Sequence, residues 1–158
     1  MNWLLSDIQH AIGARLIGAD QAISGVSTDT RAVGAGQLFV ALRGERFDAH
    51  DFLDQAVAAG ATALLVSDAA RVPTGVPALL VTDTRLALAS LAAVWRARFS
   101  LPVIAVTGSN GKTTTKEMVA AILRAQFGDA VLATRGNLNN DIGLPLTLLG
   151  LTENHHAA

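Results

Sequence analysis

The chain has 158 residues, a length that suits one domain, or one small domain with part of another. Apolar residues make up 51% and charged residues 16%, which excludes a disordered polymer and supplies a sizeable core. Lys and Arg total 12 against 13 Asp and Glu, so no electrostatic footprint for nucleic acid is present, and the lack of cysteine excludes disulfides and thiolate metal sites.

The N-terminus has neither a basic region nor a long apolar run, so it does not read as a signal peptide, and no apolar stretch reaches the ~18 residues of a spanning helix. A cytoplasmic location is expected. Ser6 and Gln9 fit a capping box that opens a short helix, with Gly13 or Gly18 as its stop. Residues 23–31 are polar and turn-rich. Residues 38–42 read as a buried strand, 50–59 as a helix closed by Gly60, and 62–66 and 78–81 as two more buried strands. Asp83 or Thr84 can cap the next helix, which carries Leu88, Leu91, Trp95 and Phe99 on one core-facing stripe and ends before Pro102.

A second unit begins with an apolar strand at 103–106 and a tight loop at 107–111. A helix from Lys112 to about Gln126 follows, with Met118, Ile122 and Leu123 facing inward and Gly128 as its stop. Residues 130–133 are a further strand. Residues 134–141 form a polar loop, and 142–149 a helix that accepts Pro145 in its first turn. The fold class is therefore α/β. A small N-terminal α/β domain spans 1–82, a linker helix 83–101, and the start of a parallel-sheet domain 102–158. Two strands and two helices are too few for that last domain, so the chain is expected to stop inside it. His155 and His156 read as solvated loop residues rather than a metal pair.

The informative motif is Gly108-Ser109-Asn110-Gly111-Lys112-Thr113-Thr114, which follows an expected strand and opens an expected helix. Glycines allow a tight turn whose N–H groups converge on phosphate oxygens, and the helix N-terminus adds partial positive charge. Lys112 supplies a point charge and is the expected catalytic residue. The Thr113 hydroxyl is an oxygen ligand of the kind Mg²⁺ takes. The motif is the short form, because Val106 stands where the longer Walker pattern has glycine.

The string from Val106 through Lys112 to Met118 resembles the ATP site of the Mur ligase family. Gly136-Asn137-Leu138-Asn139-Asn140-Asp141-Ile142-Gly143 resembles the segment that follows it in the member adding a dipeptide. Ser27-Thr28-Asp29-Thr30-Arg31 is similar to the family's uridine-nucleotide loop, and residues 36–52 are similar to the rest of that domain. The resemblance implies an ATP- and Mg²⁺-dependent ligase of peptidoglycan precursor synthesis. Its implied partners are UDP-N-acetylmuramoyl-tripeptide and D-alanyl-D-alanine, joined through an acyl phosphate by a monomeric protein. It implies phosphate contacts from Gly108, Ser109, Asn110, Gly111, Lys112, Thr113 and Thr114. For the uridine substrate it implies Ser27, Thr28, Asp29, Thr30, Arg31, Gly44, Phe47, Asp48 and His50, with Asn139 and Asn140 near the reacting end.

The Mg²⁺-binding Glu, the carbamylated lysine and the dipeptide domain of the family have no counterparts here, so these 158 residues alone are expected to be inactive. On residue chemistry alone, 29–31 reads equally well as a surface turn with a local Asp–Arg pair, 139–140 as an Asn-rich turn, and His50 as a helix cap. Two other functions compete: a related ligase with another substrate, and a non-catalytic uridine-nucleotide-binding module.

Overall fold

The computed structural model describes residues 2–45, 47–136 and 138–158. The chain divides into two compact units, 1–92 and 93–158.

The first unit is built on a five-stranded sheet. In chain order its elements are β1 (Trp3–Leu4), α1 (Leu5–Ile12), β2 (Arg15–Ile17), β3 (Ala22–Ile23), β4 (Gly25–Ser27), β5 (Gln37–Val40), a 3-10 turn (Ala49–Phe52), α2 (Leu53–Ala58), β6 (Ala63–Val66), a second 3-10 turn (Ala69–Arg71) and β7 (Ala78–Leu80). The sheet order is β2-β7-β6-β5-β4. β4 through β7 run parallel and β2 closes one edge antiparallel to β7, while β1 and β3 form a separate antiparallel pair. The central strands read as continuous apolar runs because a parallel sheet buries both faces. Phe39, Leu64, Val66 and Ala78 pack in one cluster with Leu53 and Ala56 of α2. Leu38, Val40, Leu65 and Leu79 are also fully buried.

Local chemistry sets the ends of these elements. Gly13 closes α1 at φ 67°, one of its two expected stops. The capping box does not form: Ser6 N–H donates to Asp20 Oδ1, and Gln9 Oε1 accepts from Leu16 N–H, so one residue ties α1 to the loop after β2 and the other to β2 itself. Gly60, at φ 115°, follows α2, and a Cβ there would stand 3.0 Å from Ala35 N, so only glycine fits both the turn and the close approach. The turn-rich reading of 23–31 also needs correction, since β3 ends and β4 lies within it.

Helix α3 (Thr84–Ala97) begins at Asp83, whose carboxylate accepts from Arg85 and Leu86 N–H. Thr84 turns the other way, and its buried hydroxyl donates to Ala41 O at 2.8 Å. Leu88 and Leu91 are fully buried, as the stripe predicts.

The second unit contains the end of α3, α4 (Lys112–Phe127) and α5 (Gly143–Leu149). Buried Trp95 donates to Leu151 O at 3.1 Å and meets Phe99 edge-on. The strands expected at 103–106 and 130–133 pair only through residues 156–158: His156 N–H to Ala130 O, Leu132 N–H to Ala157 O, Ile104 N–H to Ala158 O and Ala158 N–H to Pro102 O. One parallel bridge, Val131 to Ala157, results, and no extended ladder forms among the described residues. The inward face of α4 differs from the reading by one position. Val119, Ala120 and Leu123 are covered, whereas Met118 and Ile122 are exposed at 63% and 69%. His155 Nδ1 accepts from Thr152 N–H and His156 meets the Phe127 ring edge-on, so each has a local partner. No helix among the described residues is long and apolar enough to cross a membrane.

Candidate functional site

The loop before α4 has the features of an anion cradle. Gly111, at φ 79° and ψ −3°, is the N-cap of α4 and has no side chain with which to satisfy the first-turn amides. Ser, Thr, Asp or Asn ordinarily does that work. Gly108 also has positive φ, 147°. Among the described residues, no hydrogen bond takes up the amides of residues 108–113. These donors therefore gather at the positive end of a 16-residue helix.

Lys112 folds its ammonium back over this loop, donating to Gly108 O at 2.6 Å and approaching Ser109 O at 3.4 Å. Lys112 and Thr113 line a cleft of about 190 Å³ together with Lys116, Thr134, Gly136 and Asn139. Ser109, Asn110 and Thr114 are exposed beside it. Lys112, Thr113 and Asn139 thus line one cleft. Asn140 is not among the cleft residues: its Oδ1 accepts from Gly143 N–H at 2.7 Å and Ile142 N–H at 3.3 Å, in the turn that leads into α5. Asn137 lies outside the described residues.

The donor set fits a nucleotide polyphosphate, with free amides, a helix N-terminus and one ammonium. Thr113 fits Mg²⁺ as a single hydroxyl ligand, the arrangement of an ion held mostly by phosphate oxygens and water. No group of three His, Asp or Glu side chains that could hold a metal by itself occurs among the described residues.

The first unit has its own pocket, of about 570 Å³. It is lined by Thr28, Asp29, Thr30, Arg31 and Phe47, with Phe39, Ala49, Phe52 and Gln55. Arg31 meets Asp29 in a two-pronged pair, Nε to Oδ1 at 2.9 Å and Nη2 to Oδ2 at 2.7 Å. The Arg31 side-chain bonds, with its backbone N–H, hold the Asp29 carboxyl down at about 2. Phe47 and Phe52 stack at 5.2 Å, offering a flat apolar wall.

The other residues expected here lie behind the pocket. Ser27 Oγ donates to Asp29 O and accepts from Asp29 N–H, shaping the turn. Gly44 N–H donates to Phe47 O. His50 is a correction: it is buried, and neither ring nitrogen faces the pocket. Nδ1 meets Asp48 Oδ1 at 2.6 Å and Nε2 accepts from Ser67 N–H at 3.0 Å. Asp48 also caps the 3-10 turn through His50 N–H and receives Arg71 at 3.2 Å. Burial pushes the Asp48 carboxyl up, but the His50 bonds and the Arg71 charge outweigh it and leave it below the usual range. Arg71, which also pairs with Asp51, carries no sequence signal because it lies outside any motif. Lys116 does carry one: it stands four residues after Lys112, on the same helical face.

The fold and these two sites define an α/β protein of the phosphate-loop class. Residues 106–158 match the Mur ligase middle domain, and residues 22–96 match the Mur ligase family catalytic domain. The chain belongs to the Mur ligase family. It is 54% identical to UDP-N-acetylmuramoyl-tripeptide–D-alanyl-D-alanine ligase of Escherichia coli (strain K12), over 98% of this chain and 33% of that protein. Among solved structures it is similar to MurF from Acinetobacter baumannii, with TM-score 0.89 and 42% identity over 100% of this chain and 35% of that one. It is also similar to the MurF ligase from Thermotoga maritima in complex with ADP, with TM-score 0.72 and 36% identity over 84% of this chain and 30% of that one. The chain spans about a third of the length of these relatives.

Proposed function

We propose that this chain belongs to a cytoplasmic, monomeric ATP-dependent ligase that joins D-alanyl-D-alanine to UDP-N-acetylmuramoyl-tripeptide in peptidoglycan precursor synthesis. The observation that carries the reading is the set of amides at residues 108–113 that find no acceptor among the described residues, with Lys112 and Thr113 opening onto the cleft that Asn139 lines. Phosphoryl transfer asks mainly for positioning and charge neutralisation, and those are what this loop offers. Lys112 is the catalytic cation. The amides of Gly108, Ser109, Asn110, Gly111, Thr113 and Thr114 orient the ATP phosphates. A bound Mg²⁺, held through Thr113, would neutralise phosphate charge. Asn139, an uncharged donor and acceptor, is placed to orient the carboxyl-bearing substrate.

The pocket of Thr28 to Arg31, with Phe47, takes the uridine nucleotide. Arg31, whose Nε and Nη2 are held by Asp29, keeps Nη1 for a phosphate oxygen, and the aromatic wall offers a stacking face for the base. Residues 1–82 then form the uridine-substrate domain, 83–101 a connecting helix and 102–158 ATP-binding sequence. The test is ADP release by the intact protein. Release that requires both the UDP-tripeptide and D-alanyl-D-alanine is expected. Release driven instead by a single amino acid would replace this substrate assignment with a related ligase, and absence of any release would end it.

A further inference from the structure

Helix α4 carries a second lysine on the face of Lys112. The Lys116 ammonium makes three contacts: Thr134 O at 2.6 Å, Gly136 O at 3.4 Å and Glu117 Oε1 at 2.8 Å. The short bond to Thr134 O and the ion pair to Glu117 are the close contacts of this ammonium. Its side chain is only 20% exposed, on a helix whose other polar residues are mostly in solvent. The two carbonyls belong to the loop that leads to Asn139, and Gly136 turns there at φ 53°. The far end of that loop is fixed separately by Asn140, which accepts from Gly143 N–H at the start of α5, and Leu138 sits so close to Gly143 that an added Cβ would stand 2.7 Å from it. Asn139 therefore lies between two anchors, and Lys116 is the one that starts from the phosphate-loop helix.

We infer that Lys116 is a positioning residue that clamps the 134–136 turn to α4, and so holds Asn139 against the cleft that Lys112 and Thr113 line. The inference rests on the proposed ligase reading only for the identity of the substrate. The clamp itself is a matter of loop geometry. It also sets a division of labour: Lys112 answers to phosphate, while Lys116 answers to the loop.

The experiment uses the intact protein with Lys116→Gln and Lys116→Arg, read by ADP affinity, steady-state kinetics and amide exchange. For Lys116→Gln, exchange at residues 138–144 is expected to accelerate roughly tenfold, and KM for the UDP-tripeptide to rise roughly tenfold, since about one charge-assisted bond set is lost. ADP affinity should stay within about twofold, because no phosphate donor is removed. Lys116→Arg, which keeps the charge and several donors, should recover most of the KM. Unchanged exchange at 138–144 in Lys116→Gln would overturn the clamp. Loss of ADP affinity equal to the rise in KM would also overturn it, by making Lys116 a phosphate ligand. If the unsubstituted protein shows no dipeptide-dependent ADP release, the ligase reading fails, and the exchange result still decides the clamp.

Discussion

Replacing Gly111 by Ala separates the backbone role of the phosphate loop from its side chains. At φ 79° an L-residue carries a torsional cost of about 1–2 kcal/mol. No heavy atom lies within 4 Å of the added Cβ, so no steric term is added. The unfolded chain loses freedom with the same substitution, which returns about 0.4–1 kcal/mol. The net destabilisation is then roughly 0–1.6 kcal/mol if the turn keeps its shape. If the turn relaxes instead, stability is spared and the amides of 108–113 shift from their places before α4. In that second case phosphate binding weakens, by about tenfold for each 1.4 kcal/mol needed to restore the turn. ADP titration by calorimetry, with urea unfolding of the same samples, reads both quantities. Ser109→Ala is the companion, because it leaves backbone torsions alone and should hold ADP affinity within about threefold. A Gly111→Ala variant that matched the parent in both affinity and unfolding midpoint would refute the cradle, and so would equal losses in the two variants.

Three further outcomes follow from the first unit. Asp29, held near 2 from an ordinary 3.8, has a depressed folded value, so its contribution is present above about pH 3.8 and fades as pH falls through about 2. NMR titration should show this value, and Arg31→Gln should return it toward the ordinary range. Phe52→Ala removes half of the stacked wall and is expected to weaken UDP binding by about 0.5–1.5 kcal/mol while the fold persists; equal affinity would remove the wall from the site. Thr84→Val leaves the carbonyl of Ala41 buried without its 2.8 Å donor and should cost about 1–3 kcal/mol in urea unfolding, with a neutral result counting against that bond.

How far the residues announce this architecture depends on how many of them act locally. β5, β6 and β7 are visible because each carries a continuous apolar run that only a two-sided sheet explains. β1 to β4 are two or three residues long, too short for any period to show, and pairing alone defines them. Ser6 and Gln9 have the spacing of a cap, but Asp20 and Leu16, distant in sequence, claim them. On α4 the apolar residues occupy two faces, so spacing cannot decide between Met118 and Val119 as the inward one. The phosphate loop is legible because its chemistry is contiguous. Asn139 and Asn140 are inseparable by sequence, since only the start of α5 reveals which of them is already spent. His50 looks like a ligand contact because nothing nearby in sequence hints at Ser67 behind it.

A helix whose leading amides find no acceptor among the described residues is less stable empty than filled. Small oxyanions that gather at such an end, sulfate or inorganic phosphate among them, should raise the melting point of residues 93–158 and compete weakly with nucleotide. Thermal scans and affinity measurements on this protein thus depend on buffer choice. Values taken in chloride with an amine buffer would report the loop itself, and those taken in phosphate would report a loop already occupied.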